Sequence, residues 1–196
     1  SHRKASETVA RPELSWQSDP GCVAILRSSS DADADTITLE WHSNALQMMV
    51  AAAGVPVFSG NWNYSVQVDD EVLSSQTAWK CSCWFLDPET VFIEMEAEDA
   101  SVVKHVRHVL LAPCDRFAVI TDSVTSKDPQ RKVQLTTSLP LVAGAACAAC
   151  DVTRELTLSV GPRTIRTFPL WMEDYRIQHS LGTCRKHDGQ LELAGV

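Results

Sequence analysis

Val91-Phe92-Ile93-Glu94-Met95-Glu96-Ala97-Glu98, followed by Asp99-Ala100 and then Ser101-Val102-Val103-Lys104-His105-Val106-Arg107-His108-Val109-Leu110-Leu111, is the stretch on which the fold turns. Val91, Ile93, Met95 and Ala97 alternate with Phe92, Glu94, Glu96 and Glu98, the period-two pattern of a strand with one buried face. Asp99-Ala100 can serve as a two-residue turn closed by Glu98 and Ser101. That register sets Glu96 opposite Val103, Glu94 opposite His105 and Phe92 opposite Arg107, so acid and base emerge on one exposed face. It also puts Lys104 opposite Met95 and His108 opposite Val91 on the apolar side, which requires a bulge or a face that is not fully dry.

Working outward, period-two segments recur at Cys22–Arg27, Thr36–Trp41, Leu46–Ala52, Tyr64–Val68, Trp79–Phe85, Phe117–Val124, Lys132–Leu139, Thr153–Val160, Thr164–Phe168, Arg176–His179 and Gln190–Leu193. Turn chemistry separates them: 28–35, Asp69-Asp70-Glu71, Asp87-Pro88-Glu89, Ser126-Lys127-Asp128-Pro129 and Asp188-Gly189. Twelve or more short strands without amphipathic helices between them predict an all-β fold, an antiparallel β-sandwich of two packed sheets. Ala143 to Cys150 is expected to form one helical turn or a close-packed loop. Residues 1–11, polar and basic with no initiating Met or signal-peptide pattern, are expected to be disordered or tag-like. One β-sandwich domain over 12–196 follows, with the reading that the chain is a fragment left open.

The 196 residues, 44% hydrophobic and 21% charged, suit one globular domain with a sizeable core. The longest apolar run, Ala45 to Ala53, is broken by Gln47 and falls short of the roughly 18 residues of a membrane span, so no membrane partner is expected. A net charge of -8 argues against nucleic acid, whose phosphates call for Lys and Arg. Seven cysteines leave at least one thiol unpaired if the rest bridge, and the redox compartment stays open.

Val106-Arg107-His108-Val109-Leu110-Leu111 followed by Phe117-Ala118-Val119-Ile120-Thr121-Asp122-Ser123-Val124 resembles the arginine-bearing strand and Asp-x-Val corner in the C-terminal β-sandwich of heparinase II/III-like polysaccharide lyases. Thr137-Ser138-Leu139-Pro140-Leu141 is like the strand that closes that hairpin. Gly60-Asn61-Trp62 and Trp79-Lys80-Cys81-Ser82-Cys83-Trp84-Phe85 are similar to its tryptophan-bearing strands. The likeness covers roughly residues 12 to 170. It implies contact with an acidic, uronic-acid-containing polysaccharide and a periplasmic or secreted setting. Members of that family take most catalytic groups from a helical toroid that has no counterpart in this sequence, so the chain alone is expected to be inactive. Non-catalytic sugar binding, or a structural domain packing on a helical partner domain or a second copy, are the alternative readings.

β-Elimination at a uronate needs a cation for the carboxylate, a base for the adjacent proton and an acid for the leaving oxygen. His105 and Glu94 are the candidate proton-transfer groups, since an imidazole, whose unperturbed pKa is about 6.5, can exchange a proton near neutral pH, the more so beside a carboxylate. Arg107 and Glu96, with Trp62 as an exposed stacking surface in the Gly60-Asn61-Trp62-Asn63 turn, are the candidate substrate-binding residues. The bland alternative is a solvated sheet face with cross-strand ion pairs.

On the strand from Trp79 to Phe85, Cys81 and Cys83 are expected to share a face. Cys81-Ser82-Cys83 and Cys147-Ala148-Ala149-Cys150 together reach the ligand count of a zinc site, but without its usual context; no metal and no cofactor is expected. His105-x-x-His108 is likewise discounted, because residues three apart on a strand face opposite sides. Asp31, Asp33 and Asp35 open like a calcium loop, but Thr36 stands where the glycine should be and His42 where the glutamate should be.

Overall fold

A computed structural model describes residues 14–42, 45–73, 78–98, 103–150, 153, 155–170 and 182–195. The expectations for residues 1–11 and for the strand at Arg176–His179 fall outside them. Among the described residues there is no helix, and the architecture is an all-β antiparallel sandwich.

The first sheet follows the chain in meander order: β1 (Trp16–Ser18), β2 (Val23–Arg27), β3 (Thr36–Glu40), β4 (Gln47–Ala52) and β5 (Val55–Asn61). The second has β8 (Lys80–Leu86), β9 (Val91–Glu98), β10 (Val103–Ala112) and β11 (Phe117–Ser126) side by side in that sequence. A third sheet joins distant segments, in the order β16 (Gly182–His187), β17 (Gln190–Gly195), β12 (Val133–Pro140), β6 (Asn63–Val68) and β7 (Glu71–Leu73). The smallest comprises β13 (Ala146–Ala149), β14 (Leu156–Val160) and β15 (Arg163–Thr167). Alanine and cysteine thus lie in a strand at 146–149 rather than in the expected helical turn or loop.

Alternation builds the core. Ala24, Leu26, Ile37, Leu39 and Met48 from the first sheet pack with Val91, Ile93, Met95, Ala97, Val109 and Leu111 from the second. Leu139, Leu156, Leu158 and Leu191 extend this cluster into the other two sheets. A smaller cluster of Val66, Val68 and Val103 seats β6 against the start of β10.

Two-residue turns hold several hairpins. Asp69-Asp70 joins β6 to β7 and Asp188-Gly189 joins β16 to β17, both with positive φ at the two central positions, as tight hairpin turns of matching twist require. Ala53-Gly54 does the same between β4 and β5, and there a Cβ on Gly54 would sit 2.6 Å from the Ala32 carbonyl oxygen, so only glycine fits.

The β9–β10 hairpin departs from the expected register. Lys104 pairs with Glu98, Val106 with Glu96, Arg107 with Met95 and His108 with Glu94. Five residues, 99–103, separate the last paired positions, Glu98 and Lys104, where a two-residue turn was expected. The offset is odd, and an odd offset in a structure of period two exchanges the faces. His105 and Arg107 therefore point into the core, opposite Ala97 and Met95, while Lys104 and His108 join Glu96 and Glu94 outside. No polar pair need be buried on the Met95 side by Lys104 or His108 after all.

Candidate functional site

Two polar clusters lie back to back on the second sheet. The inner one centres on Arg107, whose side chain is fully buried. Arg107 and Asp122 are directly paired across β10 and β11, and the guanidinium Nε donates to Asp122 Oδ2 at 3.1 Å, with Nη2 3.0 Å from the same oxygen. Nη1 donates to the Trp62 carbonyl at 2.8 Å. The other carboxylate oxygen of Asp122 meets His105 Nε2, so one carboxylate serves both side chains.

Aromatic rings close this cluster. The Arg107 guanidinium carbon lies 4.2 Å from the Trp62 ring centroid, 4.6 Å from Trp79 and 5.0 Å from Tyr64. Each such contact in a desolvated setting is worth about 2 kcal/mol. The His105 ring meets Tyr64 and Trp79 edge-on, with centroids 4.3 and 4.9 Å apart. Trp62 is itself buried, its indole Nε1 donating to Thr137 Oγ1 at 2.8 Å while Thr137 donates to the Asn63 carbonyl at 3.1 Å. Burial depresses the Arg107 pKa, opposed by the Asp122 charge and hydrogen bond, and an arginine remains protonated throughout the useful pH range. Burial alone would raise the Asp122 pKa, but the charge of Arg107 and the His105 contact outweigh it and hold the carboxyl below its ordinary range.

The outer cluster is Glu94, Glu96 and their neighbours. Glu96 is bridged by Lys80 Nζ at 3.2 Å and by Lys104 from the flanking strands. These two cations, Lys104 first, lower its pKa. Glu94 accepts from Ser82 Oγ at 2.6 Å and meets His108 Nε2 at 3.0 Å, and the Ser82 bond, then His108, lowers its pKa. His108 Nδ1 in turn lies 2.8 Å from Thr121 Oγ1, so carboxylate, imidazole and hydroxyl line up across β9, β10 and β11 at paired positions. Ser82 reaches Glu94 because it is the extra residue of a bulge: Cys81 pairs with Met95 but Cys83 pairs with Glu94. The bulge sends Cys83 outward and Cys81 inward, which corrects the expectation that they share a face.

Such a carboxylate–imidazole–hydroxyl row can relay a proton. It lacks what acyl transfer needs, since it lies on a sheet face whose neighbouring backbone N–H groups serve the β9–β10–β11 ladders rather than an oxyanion. On one side its neighbours are apolar: Phe85, Phe92, Leu110 and Val119 form the adjacent cross-strand row, and Phe92 stacks on His108 with centroids 5.6 Å apart. Phe85 and Phe117 are about half exposed, at 49% and 50%.

The five residues expected to make a site are thus divided. Glu94 and Glu96 stand on the outer face as expected. His105 and Arg107 are on the inner face, at 3% and 0% exposure, and Trp62, expected to be an exposed stacking surface, is 3% exposed as a wall of the arginine cage. A base must reach the proton it abstracts, to about 3 Å, and His105 between Tyr64 and Trp79 cannot meet a polysaccharide there. His108, Asp122, Tyr64 and Trp79 were missed as partners of these residues. The outward signal for His108 was present in its misfit with the apolar face; the cage residues, from Trp62 to Asp122, carry no local spacing rule. Asp35 is engaged rather than open to a cation, accepting from Ala53 N at 2.6 Å and pairing with Arg116 at 3.1 Å. Among the described residues no group of three or more His, Cys, Asp or Glu is placed to hold a metal ion.

Compared with the models of known protein families and with curated proteins, the chain matches none.

Proposed function

We propose that this chain is the β-sandwich domain of a heparinase II/III-like polysaccharide lyase, not catalytic on its own, which contacts an acidic polysaccharide through the outer face of the β8–β11 sheet. The observation that carries this reading is the Arg107–Asp122 pair: the arginine-bearing strand and the Asp-x-Val corner, the two motifs behind the resemblance, are joined by one buried ion pair. In this reading Arg107 braces the sandwich and does not touch sugar. Contact with uronate carboxylates falls instead to Lys80, Lys104 and His108, the last stacked on the Phe92 ring. Glu94 and Glu96 supply acceptors for sugar hydroxyls.

The test is a titration of the chain with glycosaminoglycan and alginate fragments, followed by ultraviolet absorbance of the unsaturated uronate that elimination would form. Weak binding that a Lys80→Ala/Lys104→Ala double variant abolishes, with no unsaturated product, supports the reading. Affinity that is absent, or unmoved by the double variant, rejects the polysaccharide contact.

The exposed row that includes Phe85, with Phe117 beside it, favours a second reading, a structural domain whose open sheet packs on a helical partner domain or on a second copy. Self-association measured by sedimentation and lost in Phe85→Ser, without sugar affinity, is the outcome that would prefer it.

A further inference from the structure

We infer that Glu96 is an internal stand-in for the ligand's carboxylate: it occupies the anion position between Lys80 and Lys104, so a uronate carboxylate competes with the protein's own glutamate and Glu96 limits affinity for the polysaccharide. The inference rests on the proposed contact of the outer face with an acidic polysaccharide and adds a built-in competitor to it. Lys80 on β8 is directly paired with Glu96 on β9, and its Nζ lies 3.2 Å from Glu96 Oε2. Lys104 on β10 is paired two residues further along, with Glu98, and reaches back diagonally to Glu96 Oε1. Each carboxylate oxygen thus has its own ammonium, one from each flanking strand. The Glu96 side chain is only 13% exposed, whereas Lys80 and Lys104 are 63% and 47% exposed, so a ligand meets the two lysines first with the carboxylate beneath them.

Two lysines and one glutamate leave a single net positive charge where the lysines alone would present two. An incoming carboxylate therefore feels a partly cancelled field, and Glu96 repels it from the same two cations. The bonds from Lys104 and Lys80 hold the Glu96 carboxyl below its ordinary range, so the competing charge is present at neutral pH. Pairs this close to solvent are weak and screened by salt, which makes the glutamate displaceable. The neighbouring carboxylate does not share the position, because Glu94 is engaged by Ser82 and His108.

The experiment titrates the full chain and its Glu96→Gln variant with an alginate oligouronate at low and at physiological ionic strength. Glutamine keeps an acceptor oxygen for sugar hydroxyls and removes only the competing charge. Glu40→Gln, which removes the same charge from an exposed position at the end of β3 in the first sheet, is the control. The expected result is that Glu96→Gln binds about three- to fivefold more tightly than the wild type at low salt, that the gain shrinks at physiological salt, and that Glu40→Gln binds as the wild type does. Unchanged or weaker affinity in Glu96→Gln, beside measurable binding by the wild type, overturns the inference and leaves the proposed contact standing. An equal gain in Glu40→Gln also overturns it, since net charge alone would then account for the effect. Binding by neither the wild type nor Glu96→Gln rejects the proposed contact and the inference with it.

Discussion

Arg107 and Asp122 occupy directly opposed positions on β10 and β11, and their side chains meet at 3.0 and 3.1 Å inside a cage of Trp62, Tyr64 and Trp79. A charge taken out of water this completely needs a partner, and Asp122 is only tolerable because Arg107 and His105 face it. Trp62 and Trp79, from the two tryptophan-bearing segments, and the basic strand are parts of one arrangement.

Removing one partner leaves the other charge buried and uncompensated. Arg107→Ala is therefore expected to cost about 3–5 kcal/mol of stability, a large share of the 5–15 kcal/mol typical of a domain. Urea unfolding monitored by tryptophan fluorescence measures it; a loss under about 1 kcal/mol would place Arg107 on a solvated surface.

Trp62→Phe keeps an apolar wall but removes the indole donor to Thr137 and the strongest of the ring faces over Arg107. A loss of about 1–2 kcal/mol is expected, with sugar affinity unchanged. A change in uronate binding without a change in stability would return Trp62 to the role of stacking surface.

The outer face should respond differently. Glu94→Gln keeps the shape, and its half-exposed partners Ser82 and His108 can turn to water, so a stability change within about 1 kcal/mol is expected. A larger loss by chemical denaturation would mean that this row, and not the inner cage, braces the sheet.

Acid should unfold the protein through its depressed carboxyls. Asp122 has a folded pKa below the ordinary 3.8, so its contribution is fully present above that value and is lost as pH falls through the lower folded one. Glu94 and Glu96, lowered from 4.5, add smaller contributions of the same sign. Stability measured from neutral pH downward should be flat and then fall below about pH 4. Asp122→Asn should start less stable and show a shallower fall; an equal slope in both proteins would remove Asp122 from the explanation.

Strand alternation made the all-β sandwich legible, because Val91, Ile93, Met95 and Ala97 can be buried together in only one way. Short edge elements such as β1 and β7, three residues each, have too few alternations to register, and β5 hides its pattern behind Pro56 and Gly60. The site was legible by residue type but not by face. Pairing Lys104 with Glu98, rather than Ser101 as read from the sequence, turns His105 and Arg107 inward, and a single bulge at Ser82 separates Cys81 from Cys83, which were expected to share a face. Lys104 and His108 on the apolar side of that reading were the sign that the parity was reversed. The cage itself depends on contacts between β6, β10, β11 and the segment around Trp79, which no local pattern announces.

The most direct test of Arg107 as a core cation is a double-mutant cycle with Arg107→Met and Asp122→Leu, read by urea unfolding. Each single variant should lose about 3–5 kcal/mol, and the double variant should lose far less than their sum, because no charge is then left unpaired. Near-neutral single variants with additive effects, and a loss of uronate affinity in Arg107→Met, would contradict the account.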